Sequence, residues 1–263
     1  MNRASAVGSG LATPGNANPM KPLLLRPAAK GVLFTVCLLP LAWLLHGALA
    51  GSLGPNPAEA LIRGSGDWVL RFLCLTLAVT PLRQLSGWHA LARFRRMLGL
   101  FCFFYLVLHF LSYAWLDMGF DLHAIVRDIP KRPFALVGFA AFVLMLPLAA
   151  TSFDRAIKAL GAARWRALHR LVYLIVLLGL LHFFWMRLAK HDFGEVAVYG
   201  AIVALLLGWR VGRAWITRRG GWPAARSPTG GAGVRPEQGR RGPSAWRSRA
   251  ARRPADRARD LYR

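Results

Sequence analysis

The chain has 263 residues, 55% of them hydrophobic, and a formal net charge of +24. Its mean hydropathy stays positive although the last fifty or so residues are strongly polar. Such a balance excludes an ordinary soluble domain and points to an integral membrane protein.

In chain order, Met1–Asn18 shows no helical or strand period, Met20 is a second candidate start, and residues 1–29 are expected to be a disordered N-terminal segment. Apolar runs long enough to approach the roughly 20 residues of a bilayer crossing follow at six places. The first, Gly31–Ala50, is preceded by Arg3, Lys21, Arg26 and Lys30 like a signal peptide. It is too long for one, lacks a clear small-residue cleavage site, and is followed by further spans, so it is expected to remain in the mature protein. The second, Asp67–Leu82, is short and carries Arg71, which can snorkel towards the interface. Arg83, Arg93, Arg95 and Arg96 lead to the third, Leu98–Leu116. A mixed-charge loop, Met118–Arg132, leads to the fourth, Phe134–Ala150, and Arg155, Lys158, Arg164 and Arg166 separate that run from the fifth, Leu168–Met186. The sixth, Val196–Trp209, is again short and is followed by Arg210.

The fold class expected is therefore an all-α membrane protein: a six-helix bundle over residues 30–212, with a basic, disordered tail over residues 213–263. Lysine and arginine concentrate before span one, between spans two and three, between spans four and five, and in the tail. The positive-inside rule then places both termini in the cytoplasm. The tail is rich in Arg, Gly, Pro, Ala and Ser; it reads as a coil lying on anionic membrane lipid. Nucleic acid is not an expected partner, because charge without a folded module cannot read bases.

Cys37, Cys74 and Cys102 all fall inside apolar runs. They form no CxxC pair and read as packing residues rather than a disulfide framework or a zinc site. HExxH, a GxSxG elbow, a phosphate-binding glycine loop and an intramembrane acidic pair are all missing from the sequence. Hydrolysis and carboxylate-coupled proton pumping are excluded with them.

Seven histidines remain. His89 and His191 lie in polar loops, His123 lies in the mixed-charge loop and His46 lies near the end of span one. His109, His169 and His182 sit in spans three and five, where an ionisable side chain is by default functional. Those spans run the same way. At about 1.5 Å per residue, His109 lies about 16 Å above Leu98 and His182 about 21 Å above Leu168. Two imidazoles at one depth, among Phe103, Phe104, Tyr105 and Phe110 on one side and Phe183, Phe184 and Trp185 on the other, suit a b-type haem held between helices. Gly179 removes a side chain where a flat ring would approach.

His169 precedes His182 by 13 positions, about 140° away on an ideal helix, whereas Arg95 lies within about 40° of the face of His109. With Arg95 and Arg96, His169 can serve a second haem, a flavin phosphate, a quinone oxygen or haem propionates. Arginine suits the anionic groups better than it suits iron.

FRRMLGLFCFFYLVLHFLSYAWLD (Phe94–Asp117) and TSFDRAIKALGAARWRALHRLVYLIVLLGLLHFFW (Thr151–Trp185) resemble signature segments of the MsrQ family, also called YedZ, within the ferric reductase-like transmembrane group. Ser52–Pro55, Thr80–Arg83 and Arg132–Pro133 add further matches, and the resemblance covers about Lys30 to Arg213. It implies the haem-binding membrane subunit of a periplasmic methionine sulfoxide reductase system, in the bacterial inner membrane. Electrons would come from the quinone pool or a cytoplasmic flavin reductase and pass through haem b, with FMN as a further family cofactor. The recipient would be a molybdopterin-containing MsrP-type catalytic subunit that repairs oxidised methionine, so the chain itself would be an electron-transfer subunit and not an enzyme. Residue by residue, His109 and His182 match haem-ligand positions of the family, His169 its third histidine, and Arg95 and Arg96 a basic site on the cytoplasmic side. Two rival classes stay open: a stand-alone ferric reductase-like haem protein, and a non-redox transporter or assembly protein.

Overall fold

Asn56 begins the longest helix. Its side chain accepts the Glu59 amide at 3.1 Å, Pro57 occupies the first turn and Glu59 pairs with Arg63 at 2.8 Å. These polar turns fold as helix although their hydropathy is too low to mark a span. Consequently the second crossing starts at Pro57 rather than at Asp67. A computed structural model describes residues 27–188 and 193–219, and in it the apolar runs form six helical stretches long enough to cross a membrane.

The elements are α1 (Pro27–Leu49), α2 (Pro57–Ser86), a 3-10 turn (His89–Leu91), α3 (Ala92–Ser112) continued by a π-helical turn (Tyr113–Asp117), α4 (Leu122–Lys131), α5 (Pro133–Ala150), α6 (Asp154–Leu160), α7 (Ala162–Leu168), α8 (Leu171–Leu188) and α9 (Gly194–Arg219). Short connections make successive crossings alternate in direction. Pro27 and Arg219 therefore share one end of the bundle, called here the terminal end; the α3–α5 connection lies at the far end. The all-α, six-span architecture read from the sequence is present. Residues 1–26 of the expected disordered N-terminal segment and residues 220–263 of the tail fall outside the described residues, whereas residues 27–29 are already helical at the start of α1.

Three details depart from the sequence reading. Met118–Arg132 contains α4, capped by Asp121, whose side chain accepts the Ala124 amide at 3.0 Å. Ile125 and Ile129 of α4 bury against Ala114, Tyr113, Met118 and Phe139. The last helix runs past Gly212 to Arg219. Finally, α7 stops at Leu168 and α8 starts at Leu171, so His169 and His182 do not belong to one straight helix and the 140° separation does not apply.

Packing divides the bundle into two tight hairpins. α2 packs most extensively against α3 and α5 against α8, while contacts between the two pairs are fewer. Leu77, Tyr105, Ile175 and Val176 are among the most deeply buried side chains at the centre. Two proline sites are repaired by side chains. Pro81 cannot donate to the carbonyl four residues earlier; that acceptor, Leu77 O, instead receives Arg210 Nη2 from α9 at 2.5 Å. Beside Pro40, the Tyr105 hydroxyl enters the α1 ladder, accepting the Leu41 amide at 3.0 Å and donating to Cys37 O at 2.9 Å.

Candidate functional site

α3 carries His109 and α8 carries His182. Their rings face one another with centroids 6.1 Å apart and planes at 75°. The depth match counted from the sequence thus becomes a direct apposition.

Each ring is fixed by the helix beside it. His109 Nδ1 meets Ile62 O of α2 at 2.8 Å, and His182 Nδ1 meets Phe134 O of α5 at 2.7 Å. A carbonyl oxygen only accepts, so in both rings Nδ1 carries the proton and the lone pair is on Nε2. A neutral imidazole in that tautomer is a metal ligand oriented by its second nitrogen.

Glycines make those carbonyls reachable. A helical side chain leans towards the N-terminus and overhangs the carbonyl four residues earlier. Four residues after Ile62 stands Gly66, and four after Phe134 stands Gly138. A Cβ on Gly66 would lie 3.0 Å from His109 Cε1 and 3.1 Å from Nδ1; on Gly138 it would lie 2.8 Å from His182 Nδ1. A side chain at Gly138 would force the His182 ring to shift, and one at Gly66 would require the His109 ring to give by a few tenths of an ångström. Sequence reasoning missed them and named Gly179 instead, whose Cβ would only touch Leu73 at 3.7 Å. The signal available was an intramembrane glycine on the neighbouring helix, and without a register between helices it could not be matched to a histidine.

The donor set fits a haem. Two imidazoles on one iron need about 2 Å from metal to nitrogen on each side and about 1 Å more to each ring centre, roughly 6 Å in all, close to the spacing seen. Among the described residues no group of three or more His, Cys, Asp and Glu side chains could hold a bare metal ion. Two imidazoles alone therefore suit an iron that arrives with its own equatorial donors. The aromatics expected to line the slot mostly pack helix to helix: Phe110 stacks on Phe142 at 5.0 Å, Tyr105 on Phe72 at 5.2 Å, and Phe183 meets Tyr199 edge-on at 5.7 Å. Phe134 lies 6.3 Å from the His182 ring.

His169 occupies the α7–α8 junction. Its ring stacks on Trp165 at 4.0 Å and its Nδ1 meets Trp165 O at 3.1 Å. Its Nε2 is the one buried side-chain nitrogen or oxygen among the described residues that makes no hydrogen bond. The nearby Leu148 carbonyl already accepts Ser152 Oγ at 2.6 Å and forms no well-aligned bond with it. Arg95 is exposed and interacts electrostatically with His169. Arg96, by contrast, is exposed and pairs with Asp154 at 2.6 Å. His46, His89 and His123 are exposed, and His191 lies outside the described residues.

Comparison with known proteins identifies the family of the chain. The ferric reductase like transmembrane component family matches residues 65–180, a stretch that includes His109 and His169 and stops short of His182. The protein-methionine-sulfoxide reductase haem-binding subunit MsrQ of Polaromonas naphthalenivorans is 67% identical over 196 residues, covering 74% of this chain and 90% of that protein. The MsrQ proteins of Herminiimonas arsenicoxydans and Bordetella pertussis are 53% and 52% identical, over 72% and 77% of this chain and 87% and 98% of their own lengths. No solved structure matches the chain. Identity at this level over nearly the whole of each relative, on a bundle that brings two transmembrane imidazoles face to face, means that the chain belongs to the MsrQ family of haem-binding subunits.

Proposed function

We propose that this inner-membrane protein carries electrons through haem b to a periplasmic, molybdopterin-containing protein-methionine-sulfoxide reductase. The observation that carries the reading is the pair of facing imidazoles at 6.1 Å, each with Nδ1 committed to a backbone carbonyl. Haem b, when bound, supplies one-electron exchange without proton bookkeeping. The chain's own contribution is to hold two neutral imidazoles in one tautomer, within the membrane and away from bulk water. Methionine sulfoxide chemistry belongs to the partner, and this subunit is not itself an enzyme.

Orientation follows from charge, with both termini and the terminal end of the bundle cytoplasmic. The quinone pool or a cytoplasmic flavin reductase is then the donor, and FMN the further cofactor that family likeness implies. His169 and Arg95 are the inner residues available to a donor or a second haem, with Arg96 held apart by Asp154. At the far end, α4 and the adjoining ends of α8 and α9 form the docking side, where Trp115, Phe120, Leu122 and Val126 are exposed.

A reduced-minus-oxidised visible spectrum of the purified protein tests the core claim. Haem b bands are expected; His109→Ala and His182→Ala should remove most of the signal, and His46→Ala, His89→Ala and His123→Ala should keep it. A colourless protein would instead support a transporter or assembly role.

A further inference from the structure

The carbonyls that hold the two imidazoles sit in the same local pattern, with one difference. Gly66 and Gly138 each stand four residues after their carbonyl; three residues after it stand Ser65 in α2 and Val137 in α5. Ser65 is 1% exposed, and its Oγ lies 2.9 Å from Ile62 O and 2.8 Å from Leu61 O. Val137 has no donor to offer Phe134 O. Among the described residues, Ile62 O is therefore reached by two side-chain donors, the Ser65 hydroxyl and His109 Nδ1, whereas Phe134 O is reached by His182 Nδ1 alone.

A helical carbonyl has two lone pairs and gives one to the amide four residues on. The lone pair left at Ile62 is contested. Serine has a single hydroxyl hydrogen, and here it can point at Leu61 O or at Ile62 O, with burial keeping water from taking it instead. Serines in membrane helices commonly bond back to their own helix; this one shares its acceptor with a ring that faces the haem site. When the hydroxyl points at Ile62 O, it draws density from the oxygen that receives the His109 Nδ1 proton, and the bond to the ring weakens. An imidazole held less firmly at Nδ1 is a less basic ligand at Nε2. A less basic ligand stabilises ferric iron less, so the reduction potential is higher.

We propose that Ser65 is a positioning residue that acts through the Ile62 carbonyl to set the donor strength of His109, making the two axial imidazoles of the haem unequal. The proposal rests on the reading of His109 and His182 as axial ligands. Without the hydroxyl, Ile62 O accepts more strongly from His109, the ring gives more to the iron and the ferric form gains. The couple, ferric iron taking one electron to become ferrous, then shifts to lower potential. A hydroxyl placed on the other seat should act in the opposite direction. Val137→Thr supplies one, since threonine matches valine in shape and bonds the carbonyl three or four residues back.

The test uses the full-length, haem-loaded protein in detergent, with haem content read by pyridine haemochrome and the midpoint potential by optical redox titration. The potential followed is that of the haem that His109→Ala removes. Ser65→Ala should lower it by about threefold or more in the one-electron equilibrium, about 28 mV at about 59 mV per tenfold. Ser65→Thr, which keeps the hydroxyl, should restore the wild-type value, and Val137→Thr should raise it. A Ser65→Ala potential equal to or above that of the wild type overturns the proposal, whatever the haem content, because the hydroxyl would then serve the helix alone. A Ser65→Thr value as low as that of Ser65→Ala also overturns it, since shape and not the hydroxyl would be responsible. If Ser65→Ala does not fold, judged by its circular dichroism, Val137→Thr decides, and an unchanged or lower potential there overturns the proposal. Full haem retention in His109→Ala is a different failure: it removes the ligand assignment itself, and this proposal with it.

Discussion

Gly66 and Gly138 do for the ring nitrogens what no polar side chain could. Each leaves a backbone carbonyl uncovered, and a histidine from the next helix takes it. Adding a methyl group at either place brings Cβ to 3.0 Å or less from an imidazole carbon, so the ring must tilt and its Nδ1–H bond must lengthen. Gly66→Ala and Gly138→Ala are expected to lower haem affinity by about 10–100-fold, the usual cost of a lost partner behind a ligand. Haem retained in these variants should show an altered low-spin electron paramagnetic resonance signal, because ligand-plane angle shapes it. Unchanged haem content and an unchanged signal in both variants would remove the glycines from the site. The histidines were legible in the sequence because an imidazole is conspicuous among leucines. Their seats were not, since a glycine matters here only through what the neighbouring helix places above it.

At the level of helices, hydropathy located all six crossings but misjudged two of their lengths. Capping by Asn56 and the Glu59–Arg63 pair extend α2 through polar residues that a hydropathy count discards. The break at His169–Arg170 was equally hidden, because LHRLVY carries no proline or glycine to announce it. Helix α1 supplies a separate test. Tyr105 enters its hydrogen-bond ladder beside Pro40, and interhelical hydrogen bonds in membranes contribute on average about 0.6 kcal/mol and at most about 1.7. Tyr105→Phe should lower stability by about 0.5–1.5 kcal/mol in reversible unfolding from detergent and leave the haem spectrum intact. A loss several times larger would mean that α1 depends on this one hydroxyl for its place. At the far end, Tyr113 donates to Asp128 at 2.9 Å and Asp128 pairs with Arg132 at 2.9 Å, latching α4 to the end of α3. Tyr113→Phe is expected to expose the α4 segment to protease sooner than in the parent protein.

For the molecule as a whole, the contacts described above all lie within the unit that ends at Arg219. Beyond it come eleven arginines against three carboxylates, enough to draw that segment to an anionic surface at about 1 kcal/mol per residue near the membrane. Truncation after Arg219 should leave the haem content unchanged and weaken binding to phosphatidylglycerol-rich vesicles, as read by flotation at low and high salt.

The histidines reach back to their acceptors over nearly equal distances along the chain, 47 and 48 residues. Each hairpin, α2 with α3 and α5 with α8, thus brings one ring already locked in its own socket. What neither hairpin fixes alone is the gap across which the rings look at each other; only their mutual docking, the looser of the two kinds of packing, sets it. Lateral pressure and bilayer thickness act on that seam. The midpoint potential of the iron should therefore drift when the same protein is moved from thin to thick lipid discs, making the membrane a tuning element of the centre it surrounds.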